Sequence, residues 1–143
     1  MTREKRPIEN TVRILLIEND AGVSPLIAEG LKQKFGCGAY LQCTSKLSSV
    51  WQSLADDEFA AILVDLSIAN GFGNVLIPTI RSLAPETPLF ALLDQGGESQ
   101  GQEALRRGVD GCFFKHELHS RAWLAIVCRS ARRHRTLPRF ARM

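Results

Sequence analysis

Three short runs along the chain are almost continuously apolar: Val12 to Glu18 (VRILLIE), Ala60 to Leu66 (AAILVDL) and Pro88 to Leu93 (PLFALL). Runs of this length without polar alternation suit strands covered on both faces, as in a parallel sheet flanked by helices. Two weaker strands are predicted at Ala39 to Thr44 and at Gly111 to Phe114. Between the strands the spacing becomes helical. Pro25 to Phe35 places Leu26, Ile27, Leu31 and Phe35 on one side, and further helices are predicted over Leu47 to Ala55, Asn74 to Leu83, Glu98 to Arg107, and Leu118 to about Arg133. Pro25 suits a first turn with Ser24 as N-cap, Pro85 ends the third helix, and Gly108 is the expected C-cap of the fourth.

Five strands alternating with five helices predict one doubly wound α/β domain. In such sheets chemistry gathers beyond the carboxyl ends of the strands, where the strand order reverses. That rule selects Glu18, Asn19 and Asp20 after the first strand, Asp65 and Ser67 after the third, Leu93 and Asp94 after the fourth, and Lys115 after the fifth. Carboxylates and a lysine converging from separate strand ends are costly unless a cation or a phosphate resolves the charge. Mg²⁺ is the natural ion, because it takes oxygen ligands, keeps several waters and bridges carboxylates to phosphate. An aspartate held there can attack a phosphoryl group to form an acyl phosphate, with Asp65 as nucleophile and Lys115 as the ammonium that neutralises the phosphoryl oxygens. The competing structural readings are a buried ion pair for Asp65 and Lys115, and a helix N-cap cluster for Glu18, Asn19 and Asp20. The glycines of NGFGN and DQGGE follow neither a dinucleotide nor a P-loop pattern and are read as turns.

Charge changes the picture at one end only. The net charge is +3, but Arg129, Arg132, Arg133, Arg135, Arg139 and Arg142 fall in the last fifteen residues with no acid, so removing those six from +3 leaves −3 for the body. With no interleaved aromatics or helix-turn-helix pattern, nucleic-acid binding is not expected of this tail. Leu118, Ala122, Ala125 and Ile126 are expected to face the sheet, and the stretch beyond Ser130 to be a frayed linker or docking segment. The expected division is a polar extension over 1–11, a domain over 12–130 and a basic tail over 131–143. Cys37, Cys43, Cys112 and Cys128 lack close C-x-x-C spacing and are read as buried reduced thiols. No apolar run approaches the roughly 18 residues of a bilayer span, and the polar start MTREKRPIENT is unlike a secretory signal. A cytoplasmic location without a membrane span is expected.

In order and spacing, ILLIEND, ILVDLSIANGFG, EALRRGVDG and FFKHEL resemble the receiver domains of two-component response regulators, over Val12 to about Arg133. The run RGVDGCFFKHELHSRAWLAIVCRSARR is similar to receivers that precede a further signalling domain. The resemblance implies a flavodoxin-like, CheY-like fold with strand order 2-1-3-4-5. It implies Asp65 as phosphoacceptor in a phosphorelay, Lys115 as the phosphate-pairing lysine, and a Mg²⁺ site of Glu18, Asn19, Asp65 and the carbonyl of Ser67. It further implies a histidine kinase or phosphotransfer protein as donor and a downstream output domain or protein as target, with homodimerisation left open.

Several residues depart from the family pattern. Asn19 stands where a carboxylate usually meets the metal, which predicts a weak Mg²⁺ site unless Asp20 compensates or merely caps the first helix. Leu93 replaces the hydroxyl residue that hydrogen-bonds the phosphoryl group, Cys112 the aromatic ring that swings inward, and His116 the proline after the lysine. Two functions follow as expectations: a phosphorylatable receiver, or a pseudo-receiver serving as a protein-interaction or dimerisation module. An enzyme in its own right, such as a phosphatase using an aspartate nucleophile, is not expected, because Ser67 stands where such an enzyme has its second aspartate.

Overall fold

In the computed structural model, Lys5 and residues 10–19, 22–68 and 73–141 are described. Five strands, β1 (Val12–Ile17), β2 (Ala39–Thr44), β3 (Ala61–Asp65), β4 (Leu89–Leu93) and β5 (Gly111–Phe114), form one sheet in the order β2-β1-β3-β4-β5. Every pairing is parallel. Among the described residues five α-helices connect or follow them: α1 (Ser24–Phe35), α2 (Leu47–Asp56), α3 (Gly73–Leu83), α4 (Glu98–Arg107) and α5 (Ala122–Arg133). The expected flavodoxin-like architecture is therefore the one observed.

The central strands are apolar on both sides because both sides are covered. Residues of β3 and β4 are buried without exception, and they alternate between two cores. Leu16, Leu63 and Leu92 meet Ile27, Leu31, Trp123 and Val127 from α1 and α5. Leu15, Ile62, Val64 and Ala91 meet Leu54, Ile77, Ile80 and Ala104 from α2, α3 and α4. Edge strand β2 is only partly covered, with Tyr40 about half exposed, which explains its weaker apolar signal.

Helix α3 contains Pro78, whose missing N–H leaves the carbonyl of Asn74 without its usual partner four residues on. Arg107 of α4 supplies a donor there, at 3.4 Å, and the Asn74 side-chain amide in turn donates to Gln100 O at 3.2 Å. As expected, Gly108 caps α4, with φ 121° and its N–H donating to Ala104 O. The N-cap of α1 is Val23, not Ser24, and it makes no side-chain capping bond; Ser24 is already helical, with Pro25 in the first turn.

Two expectations about the carboxyl-terminal helix are corrected. Trp123, Leu124, Val127, Cys128 and Ala131 form its buried face, while Ala122, Ala125 and Ile126 are exposed. Leu118 is buried but lies in a separate 3₁₀ turn, Lys115–His119, ahead of the helix. Nor does packing stop at residue 130. Helix α5 continues to Arg133 and closes with Arg135 at φ 60°, where the Thr136 N–H reaches Ala131 O and the Arg135 N–H reaches Arg132 O. This is a Schellman closure with an arginine in the usual glycine position. It turns Thr136, Leu137 and Pro138 into the protein, all three buried, and the Thr136 hydroxyl donates to Ala60 O at 2.7 Å. The arginines themselves are exposed as expected, apart from Arg142, which lies outside the described residues.

Most of the extension expected over 1–11 lies outside the described residues, as do Asp20 and much of the NGFGN turn. Among the described residues no helix is long and apolar enough to cross a membrane. All four cysteines are free; Cys128 is buried and Cys112 half-buried, but Cys37 and Cys43 are exposed, which corrects the expectation of burial for that pair.

Candidate functional site

Asp65 ends β3 and is fully buried. One carboxylate oxygen, Oδ1, accepts the Ser67 backbone N–H at 2.9 Å and the Ser67 hydroxyl at 2.7 Å, an Asx turn that fixes the side chain as the strand stops. The other, Oδ2, lies 2.9 Å from Lys115 Nζ. A fully buried carboxylate survives in charged form only with such partners.

Lys115 opens the 3₁₀ turn after β5, and two contacts set its position. The Glu117 carboxylate accepts the Phe114 N–H at 2.8 Å, and Leu118 is completely buried behind the turn. His116 stacks on Phe114 with ring centroids 5.5 Å apart. The ammonium meets Asp94 Oδ1 at 2.9 Å as well as Asp65, and Ser67 Oγ at 3.5 Å. Burial by itself would pull the Lys115 pKa down, but the hydrogen bonds and charges of Asp65 and Asp94 outweigh it and hold the ammonium above the ordinary lysine value. Asp94 is placed by a tight turn, in which Gly97 N–H returns to Asp94 O at 3.0 Å and Gly96 adopts φ 85°. A positive φ at the third turn position is what calls for glycine there.

Glu18 follows β1, with its N–H on Thr44 O at 3.0 Å and its side chain nearly buried. The β1–β3 register pairs Ile17 with Val64, so one step further sets Glu18 beside Asp65. Glu18 and the exposed Asn19 line a shallow depression of about 230 Å³ with Cys43, Thr44 and Ser45. Partial burial, then the Glu18 carboxylate, push the Cys43 thiol pKa up, against a hydrogen bond with Ser24 that lowers it. Among the described residues no three acidic, histidine or cysteine side chains converge on one point. Two buried carboxylates on neighbouring strand ends and an amide are nonetheless oxygen donors of the kind Mg²⁺ takes when water and phosphate complete its shell.

Leu93, the last residue of β4, is buried, and its Cδ1 fills the space that a Cβ on Gly101 of α4 would need, 2.7 Å from that ideal position. The Cys112 sulfur lies 3.6 Å from the same position and donates to Gly101 O at 3.5 Å. Burial pushes the Cys112 thiol pKa up. Leu93 and Cys112, two of the departures named above, are thus packed together against one helical turn.

No protein-family model matches the sequence, and comparison with curated proteins gives no match. Comparison with solved structures does. The receiver domain of a response regulator from Bacteroides fragilis superposes with a TM-score of 0.71 at 15% identity, over 83% of this chain and 95% of that one. The NtrX receiver domain from Brucella abortus gives 0.68 at 18% identity, over 82% and 97%. A CheY-like receiver domain protein from Methanospirillum hungatei gives 0.68 at 14% identity, over 87% and 97%. The chain has the receiver-domain fold.

Within the receiver fold, Asp65, Ser67 and Lys115 form one contact network, Glu18 and Asn19 flank it at the end of β1, and Leu93 and Cys112 sit together on α4. Three neighbours were given no part in the site by the sequence. The strand-end rule locates Asp94 but gives it no role, although the glycines that aim it are visible in DQGG. Gly101 and Cys43 carry no motif; only the register and the helix packing bring them in.

Proposed function

We propose that this chain is a response-regulator receiver that accepts a phosphoryl group on Asp65. The observation that carries the proposal is the buried Asp65 carboxylate 2.9 Å from the Lys115 ammonium at the carboxyl end of a receiver-fold sheet. A carboxylate oxygen on the Lys115 side attacks the phosphorus of a partner kinase's phosphohistidine. The P–N bond breaks, its electron pair stays with the imidazole, and the negative charge moves outward onto the phosphoryl oxygens. Lys115 follows that charge, and Ser67 holds Oδ1 through two hydrogen bonds so that the acceptor does not rotate. Glu18, Asp65, Asn19 and the Ser67 carbonyl would hold Mg²⁺, which when bound supplies positive charge to the phosphoryl oxygens. The product is a stoichiometric acyl phosphate, so the chain acts as a signalling module, not a turnover enzyme. Incubation with phosphoramidate and Mg²⁺ tests this by intact mass. A gain of one phosphoryl group that Asp65→Asn abolishes is expected; an unmodified wild-type protein refutes the proposal.

A second reading has its own observation. Leu93 packed into the Gly101 notch cannot donate a hydrogen bond to a phosphoryl group. That favours a pseudo-receiver, a module that binds its partner protein independently of phosphate. Equal partner affinity for wild-type protein and Asp65→Asn would select it.

A further inference from the structure

The Lys115 ammonium has three N–H donors and, among the described residues, three acceptors within reach: Asp65 Oδ2 at 2.9 Å, Asp94 Oδ1 at 2.9 Å and Ser67 Oγ at 3.5 Å. Its donors are therefore spoken for before any phosphoryl group arrives. The three acceptors differ in what it costs to release them. Asp65 is fully buried and Ser67 is tied to Asp65, whereas the Asp94 side chain is 61% exposed and can be rehydrated at once. Once Oδ2 is joined to phosphorus its charge passes to the phosphoryl oxygens, which then compete with Asp94 for Lys115, and a displaced Asp94 carboxylate stands next to a group of the same charge.

We infer that Asp94 is a positioning residue of the acceptor site, whose carboxylate holds Lys115 in the resting state and competes with the phosphoryl group for it, lowering the affinity of the site for a phosphoryl anion. The inference rests on Asp65 being the acceptor. It assigns to the residue after Leu93 a control that Leu93 itself cannot exert: Leu93 has no polar atom on its side chain, while its neighbour's carboxylate reaches the ammonium that pairs with a phosphoryl group.

The test is titration of the full chain with beryllium fluoride and Mg²⁺, read by fluorine NMR, for wild-type protein, Asp94→Asn and Asp94→Ala. Both substitutions are expected to tighten binding by roughly two- to fivefold, the scale of removing one solvent-exposed ion pair. The advantage should shrink as salt is raised, since exposed charges are screened. A merely structural role would weaken binding in both variants. Equal or weaker binding by the variants, with clear binding by wild-type protein, overturns the inference and leaves the acceptor reading standing. Absence of binding in all three overturns the acceptor reading and the inference with it.

Discussion

The hydroxyl of Thr136 donates to the carbonyl of Ala60, 76 positions earlier, at 2.7 Å. This bond joins the segment after α5 to the residue just ahead of β3, the strand that ends in Asp65. With Leu137 buried beside it, the segment belongs to the core beneath α1 and α5. Truncation after Ser130 should therefore destabilise the domain by several kcal/mol, and Leu137→Ala alone by about 2–5 kcal/mol. Urea unfolding followed by circular dichroism checks both; unchanged midpoints would show that the segment does not pack in solution.

The packing of Leu93 against Gly101 leads to a second expectation. Gly101→Ala should cost about 1–3 kcal/mol by overpacking, and Leu93→Ala in the same chain should recover part of that loss, because the added methyl then occupies vacated space. A double-mutant cycle measures the coupling; strict additivity would mean that the two residues do not share that space. Leu93→Thr alone should enlarge the amide-shift response to beryllium fluoride only modestly, since a ligand shifts an equilibrium only by differential contacts and Cys112 brings no ring to move.

Much of this was legible in the strands. Val12–Ile17, Ala61–Asp65 and Leu89–Leu93 are covered on both faces, so their apolar runs start and stop almost where hydrogen bonding does. The identity of the residues at the strand ends then followed from topology. The carboxyl-terminal helix was misread for a definable reason. A 3.6-residue repeat starting at Leu118 does not run through, because Leu118 lies in a 3₁₀ turn and Ser120 is extended, with ψ 170°, so the helical phase restarts at Ala122. Charge obscures the tail in the same way: five arginines and no acid stand in residues 131–143, yet Thr136, Leu137 and Pro138 are the residues that turn inward. The turn that aims Asp94 shows in DQGG, but its partnership with Lys115 depends on β4 and β5 lying side by side, which no local pattern specifies.

For the metal, Asn19→Asp should tighten Mg²⁺ binding, because a charged oxygen replaces a neutral one beside Glu18 and Asp65. Titration followed by NMR would decide. An unchanged affinity would place the ion elsewhere.

The pH dependence of the Lys115 network follows from the sign of its shift. Its pKa is raised in the folded state, so its contribution to stability is complete below the ordinary lysine value and is lost as pH climbs through the higher folded value. Stability attributable to this network should be flat through neutral pH and fall only in strong alkali. Comparing the alkaline unfolding of wild-type protein and Lys115→Met isolates it; a loss specific to the wild type near neutrality would contradict the shift.

Pro78 removes one rung from α3, and Arg107 of α4 takes up the carbonyl it leaves. Because Asn74 also reaches Gln100 with its side chain, the first turn of α3 is stitched at two points to its neighbour. Both ties meet at Asn74, and they reach α4 near each of its ends, so the first turn of α3 acts as a clamp on its neighbour. A partner that pulls on that turn also pulls on α4.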